Sequence, residues 1–230
     1  MKISGFQKLT LLDFPQHVAA TVFTGGCNLR CPFCHNALLV TELGEAEEYS
    51  EDEVLSYLKK RAGILDGVCI TGGEPLLQPD IAEFIKRVRE LGLAIKLDTN
   101  GTYPEKLREL IGEGLIDYVA MDIKNSRKRY AETTGTDGIN VEDIDKSIRI
   151  LLSGSVDYEF RTTVVRELHE AEDIEKIAEW ISGAKRYFLQ NFVDSGNLIG
   201  KNLTAHDRQT LDTMRFLAQK HIDFVELRGV

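Results

Sequence analysis

The sequence predicts an α/β fold, a partial β/α barrel open on one side and built of about six parallel units. Short apolar, β-branched runs alternate with amphipathic helical stretches almost without interruption. Roughly six or seven such units can be counted, short of the eight that close a barrel. Polar clusters also follow strand after strand, and right-handed crossovers would gather them on one rim. A doubly wound open sheet is the alternative.

Residues 1–17 read as an extended N-terminal arm ending in a turn near Pro15, and residues 18–23 as an apolar strand before the Gly25-Gly26 turn. Ser50 with Glu53 forms a capping box that opens a helix to about Arg61. A strand over 68–71 ends at Gly72-Gly73-Glu74-Pro75. Pro79 suits a first helical turn, and its helix runs to Leu91, stopped by Gly92. Strand 93–98 ends at Thr99-Asn100-Gly101; a helix over 104–111 then leads to strand 118–123 and Lys124. Residues 125–138 are polar and read as loop. Asn140 caps a helix to Leu152, followed by a strand over 158–165 and a helix over 171–182. A strand over 186–190 precedes a long loop. Thr204, with Asp207 three residues on, is expected to cap a helix to about Lys220, before a last strand over 222–227. No repeat or linker divides the chain, so residues 1–230 read as a single domain with 1–17 as its arm.

Hydrophobic content of 43% suits a sizeable core. A formal charge of −9 argues against a generic nucleic-acid binder, which needs a basic footprint. No apolar run is long enough for a membrane span. With no leader in front of it, the chain is expected in the cytoplasm.

Three of the four cysteines, Cys27, Cys31 and Cys34, stand in a C-x3-C-x2-C run after the first apolar strand. Thiolates this close can face one metal centre, and three are too few for a closed zinc site. They suit a [4Fe–4S] cluster whose fourth iron stays open to a small molecule. Zinc would need His35 or Cys69 as a fourth ligand, one adjacent to Cys34 and the other far off. Cys31-Pro-Phe-Cys34-His35 also matches a haem-attachment pattern, which goes with export. A redox pair would leave Cys27 unexplained, and a structural disulfide fits a leaderless chain poorly. After one three-thiolate site, too few cysteines remain for a second cluster.

The other rim candidates are polar. Gly72 and Gly73 let backbone approach a ligand, and Glu74 can accept from an ammonium. Asp98 and Asp122, beside Thr99 and Lys124, could hold a hydrated cation or a ribose, with Lys124 on a carboxylate. Arg161 within its strand must face a polar mouth or be neutralised by Asp122 or Glu159. Gln190 is a weaker candidate of this kind, and Asn100 and Asn191 lie at the same strand ends. Cys69 reads as a buried apolar residue. His17, His169, His206 and His221 read as structural or solvated, Trp180, Phe84, Phe188 and Phe216 as core, and residues 45–48 as a solvated acidic run.

Cys27-x3-Cys31-x2-Cys34 with Phe33 before the last cysteine, followed by Gly72-Gly73-Glu74, resembles the radical S-adenosylmethionine superfamily over nearly the whole chain. The resemblance implies a partial β/α barrel in which S-adenosylmethionine chelates the open iron. Gly72, Gly73 and Glu74 would receive its ammonium, and Phe33 would lie near adenine. Cys34-His35-Asn36, Asp98-Thr99-Asn100-Gly101 and Asp122-Ile123-Lys124 are similar to glycyl-radical-enzyme activases. That likeness implies a monovalent-cation site at Asp98, Thr99 and Asp122, with Lys124 on the cofactor. Asn100, Arg161 and Gln190 complete the expected cofactor pocket.

The run from Gly5 to Pro15 departs from pyruvate formate-lyase activases and is similar to activating proteins of anaerobic ribonucleoside-triphosphate reductase. The implied reaction is one-electron cleavage of S-adenosylmethionine and abstraction of a hydrogen atom from a glycine of a partner enzyme. A flavodoxin- or ferredoxin-like donor would supply the electron. The alternatives are a small-molecule enzyme resembling 7-carboxy-7-deazaguanine synthase, a pyruvate formate-lyase activating enzyme, or a non-catalytic iron–sulfur carrier.

Overall fold

The computed structural model describes residues 1–41, 44 and 48–230, so most of the acidic run over 45–48 lies outside the described residues. One sheet of eight strands runs β1 (Ile3–Thr10), β2 (Ala19–Thr24), β3 (Gly67–Gly72), β4 (Ala94–Thr99), β5 (Tyr118–Asp122), β6 (Asp157–Val164), β7 (Tyr187–Asn191) and β8 (Val225–Arg228). Every strand lies beside its neighbour in sequence, and β2 to β8 are all parallel. Among the described residues β1 and β8 do not pair, so the barrel stays open between them.

Helices fill the crossovers: α1 (Ala37–Thr41) and α2 (Glu51–Lys60), α3 (Ile81–Arg89), α4 (Pro104–Gly112), α5 (Tyr130–Thr134) and α6 (Val141–Leu152), α7 (Ala171–Trp180), and α8 (Arg208–Ala218). Their apolar stripes pack on the outer face of the sheet. Ile81, Phe84, Ile85 and Val88 of α3 and Ile144, Ile148 and Leu151 of α6 join Val68, Ile70, Ile95, Leu97 and Val119 in one core. The inward positions of the strands are instead largely polar. Barrel strands alternate between the two faces, so this division is set residue by residue.

Several local expectations hold. Ser50 and Glu53 form the capping box of α2, and Asn140 caps α6 by accepting from the Glu142 amide at 3.3 Å. Others are corrected. Residues 3–10 are an antiparallel edge strand on β2, with Ile3 opposite Thr24 and Thr10 opposite Ala19. An edge strand needs no regular apolar alternation, which is why Gln7 and Lys8 concealed it. Beyond it Phe14, stacked on His17 at 3.9 Å, plugs the strand starts against Ala19, Ala94 and Tyr118.

Residues 125–138 are not all loop: α5 forms there because Tyr130, Thr133 and Thr134 are buried. Asp207, not Thr204, caps α8, accepting from the Thr210 amide at 2.8 Å, while Thr204 bonds Glu167. Pro79 precedes the Asp80 N-cap of α3 instead of entering its first turn. Phe216 is 65% exposed, because Leu211, Met214 and Ala218 define the inward stripe of α8 and Phe216 falls outside it.

Candidate active site

The strands deliver their C-terminal residues to one cavity of about 430 Å³. Its lining includes Cys27, Cys31, Phe33, Cys34, Gly72, Gly73, Asp98, Thr99, Asn100, Asp122, Lys124, Arg161 and Gln190. Of the residues expected here, only Glu74 is absent from the lining. The register explains the convergence: Thr24 pairs with Gly72, Asp122 with Arg161 and Thr163 with Gln190.

The cysteine loop is clamped from several sides. The Gly73 and Glu74 amides donate to the carbonyls of Thr24 and Gly26, both at 2.9 Å. Asn36 Nδ2 donates to the Gly72 carbonyl at 2.9 Å. A Cβ on Gly73 would lie 1.9 Å from the Gly26 oxygen, and Gly72 adopts φ +110° against Thr24. These two glycines therefore serve the approach of β3 to the cysteine loop as well as the cavity wall. On the far side the Arg30 amide donates to the Thr134 carbonyl at the end of α5, and the Gly200 amide to the Pro32 carbonyl at 2.7 Å. Leu29, Cys31 and Phe33 pack with Val165 and Phe192 as a second, small core.

All four cysteines are free thiols. Burial raises the pKa of Cys27, Cys31 and Cys34, with Cys31 pushed up to about 12 although Lys124 pulls it down. The Leu29 amide and Asn100 Nδ2 donate to Cys27 Sγ at 3.4 and 3.8 Å. Among the described residues, no three His, Cys, Asp or Glu side chains converge as ligands of a single ion. Three thiols lining one cavity suit a multinuclear group with a metal atom for each, so the residues fit a [4Fe–4S] cluster. Cys69 lies apart, fully buried, 3.7 Å from Lys96 Nζ.

Glu74 sits behind the wall. Its carboxylate accepts from the Leu76 amide (3.0 Å), the Thr99 hydroxyl (2.8 Å) and the Asn100 amide (2.7 Å), fastening β3 to the end of β4. Burial pushes its carboxyl up to about 7 against the pull of these three donors. The expectation that Glu74 faces a ligand is therefore replaced by a positioning contact. It was missed because sequence shows that a carboxylate is present but not which donors surround it.

Asp98 and Asp122 lie in a ladder of alternating charge. Asp98 accepts from Lys96 and, at 3.2 Å, from Arg161; Asp122 accepts from Arg161 Nε at 3.0 Å and Lys124 at 3.1 Å. Burial would raise both carboxyl pKa values, but Arg161, helped by Lys96 at Asp98 and Lys124 at Asp122, lowers them, Asp122 to about 2. Arg161 thus both faces the mouth and is neutralised, by Asp122 and Asp98 instead of Glu159. Glu159 pairs with Arg228 at 2.8 and 3.0 Å. The arrangement does not suit the expected monovalent cation, since both oxygens of each aspartate already accept from protein cations. Lys124 Nζ also lies 6.0 Å over the Phe33 ring. His169, fully buried, holds the Lys124 carbonyl through Nε2 at 2.7 Å, a structural role.

Sequence reasoning overlooked Lys96, and also Asp13, which accepts from the Thr21 hydroxyl at 2.6 Å and lines the cavity. Lys96 could have been found as a charge two residues before Asp98, and so on the same inward face of β4.

An open β/α barrel whose strand ends line one cavity, with three thiols in the loop after β2, defines a cofactor-bearing barrel enzyme. The chain belongs to the Radical SAM superfamily, whose family description matches residues 21–181. It is 35% identical over 237 residues to a Methanocaldococcus jannaschii protein named "Putative glycyl-radical enzyme activating enzyme", covering 99% of this chain and 96% of that one. Pyruvate formate-lyase-activating enzyme of Clostridium pasteurianum is 29% identical over 191 residues, 80% of this chain and 77% of that one. Among solved structures, a domain of pyruvate-formate lyase-activating enzyme from Bacteroides vulgatus superposes with a TM-score of 0.58 at 18% identity, over 71% of this chain and 99% of that one. Among the described residues no helix is long and apolar enough to cross a membrane.

Proposed function

We propose that the chain is a glycyl-radical-enzyme activase, with anaerobic ribonucleoside-triphosphate reductase as its partner and a flavodoxin- or ferredoxin-like protein as electron donor. The observation that carries this reading is the gathering of Cys27, Cys31, Cys34, Gly72, Gly73, Lys124 and Arg161 around one cavity. The full-length likeness to an activating enzyme supports it. A [4Fe–4S] cluster held by Cys27, Cys31 and Cys34 would supply one-electron chemistry, fed by that donor, for cleaving S-adenosylmethionine and so for hydrogen abstraction from the partner's glycine.

In this reading Cys27, Cys31 and Cys34 hold the cluster and leave one iron for the ligand. The backbone at Gly72 and Gly73 receives the methionyl ammonium, and Lys124 with Arg161 faces its carboxylate. Phe33 offers a face to adenine, with Asn100 and Gln190 as polar contacts. Glu74 holds Thr99 and Asn100 in place from behind. The partner's glycine-bearing segment would enter through the barrel's open side, where β1 and β8 do not pair among the described residues.

The test is anaerobic reconstitution followed by dithionite and S-adenosylmethionine, with 5′-deoxyadenosine measured by chromatography. Addition of a glycyl-radical enzyme encoded beside this chain should then yield a glycine-centred paramagnetic resonance signal. Release of 5′-deoxyadenosine without that signal from any such partner would point to a small-molecule substrate. Failure to form it under any reductant would reduce the chain to an iron–sulfur carrier.

A further inference from the structure

The likeness to activases implies a monovalent cation at Asp98, Thr99 and Asp122, and the residues found there leave it no seat. We propose that Lys96 is a built-in substitute for that ion, so that the chain binds and uses its cofactor without sodium or potassium. The inference rests on the cofactor reading above for its functional meaning, but cation independence is a property of the folded chain itself.

Lys96 and Asp98 are two residues apart on β4, so both side chains face the barrel interior. Lys96 is only 2% exposed and does not line the cavity; its amine meets Asp98 from below, with Cys69 Sγ at 3.7 Å. A buried ammonium in an apolar strand is tolerated only with such a partner. Arg161 takes the second oxygen of Asp98 and the first of Asp122, and Lys124 takes the remaining one. Three protein cations thus serve two carboxylates. The third group expected around a metal ion, the Thr99 hydroxyl, donates to Glu74 at 2.8 Å and already accepts from the Gly101 amide at 3.1 Å.

A hard cation needs several free oxygen ligands, and here it would also meet three fixed positive charges. The excess positive charge is carried toward the cavity by Arg161 and Lys124, which line it and so suit an anionic group of the ligand. Without Lys96, one oxygen of Asp98 would be freed and the local charge would fall by one. Those are the conditions under which a potassium ion could enter.

The cluster-reconstituted full chain should retain no stoichiometric rubidium-86 in equilibrium dialysis. It should also melt at the same temperature in potassium chloride and choline chloride of equal ionic strength. Lys96→Met, with Lys96→Gln as a second neutral variant, should gain a potassium-dependent rise in Tm of about 3 °C or more. One rubidium ion per wild-type chain, a potassium-dependent wild-type Tm, or an identical potassium response in wild type and both variants would overturn the proposal. None of these measurements requires S-adenosylmethionine or a partner, so they stand or fall separately from the activase reading.

Discussion

Asp122 shows how one side chain ties the cavity to pH. Arg161 and Lys124 outweigh its burial and hold it at about 2, below the ordinary carboxylate range. A carboxylate depressed in the folded state adds stability that is present above its unfolded pKa and lost as pH falls through the folded one. Stability should therefore decline between about pH 4 and pH 2, with Asp122 contributing on the order of 2 kcal/mol. Urea titrations across that range should show the decline shrinking in Arg161→Met; an unchanged slope would mean that Arg161 does not set it. At the cysteines, serine at Cys27, Cys31 or Cys34 should each strip the reconstituted chain of iron and sulfide. Serine at buried Cys69 should leave both in place, and equal losses from all four would refute the ligand assignment.

The elements carry signals of uneven legibility. Ser50 and Glu53 define the start of α2 because a capping box is a local exchange between neighbours in sequence. At α8 the sequence points to Thr204 as the cap, and only the fold shows Thr204 drawn away to Glu167 and Asp207 in its place. Asp207→Ala should lower stability through loss of the cap, measured as a lower urea midpoint. Thr204→Ala should leave the helicity of α8 unchanged in backbone NMR shifts, and fraying of its first turn would restore Thr204 as the cap. The two glycines ending β3 illustrate the same limit. A close backbone approach is legible as Gly72-Gly73, but that the approaching chain is the Thr24–Gly26 backbone is not.

Across the whole molecule, the last strand is latched from within. Arg228 of β8 reaches Glu159 of β6 with two hydrogen bonds and stacks 3.4 Å over Phe188 of the intervening β7. Glu159 is 2% exposed and also accepts from the Tyr118 hydroxyl at 2.9 Å, so the latch joins β5, β6 and β8 inside the curve of the sheet. Arg228→Met would strand a buried carboxylate and should cost about 1–2 kcal/mol, because Arg228 is itself partly exposed and Tyr118 still donates to Glu159. Adding Glu159→Leu should recover part of that loss, because an apolar pair leaves no charge unpaired. A double variant no more stable than the single one, in urea unfolding, would show that Glu159 is not the source of the cost.

Alternation of apolar strands and amphipathic helices determined the parallel β/α architecture, because periodicity along the chain dictates which face each side chain presents. The C-x3-C-x2-C spacing determined the thiol site, because ligands within one loop need little help from the fold to meet. The tertiary structure alone decided that residues 3–10 form the sheet's edge, that Glu74 stands behind the wall, and that Lys96 completes the charge ladder with Arg161 and Lys124. Each of those depends on contacts between strands: β1 on β2, Glu74 on Thr99 and Asn100, and Arg161 on Asp98 and Asp122. Such partners are chosen by strand register and packing, and no local pattern in the chain encodes them.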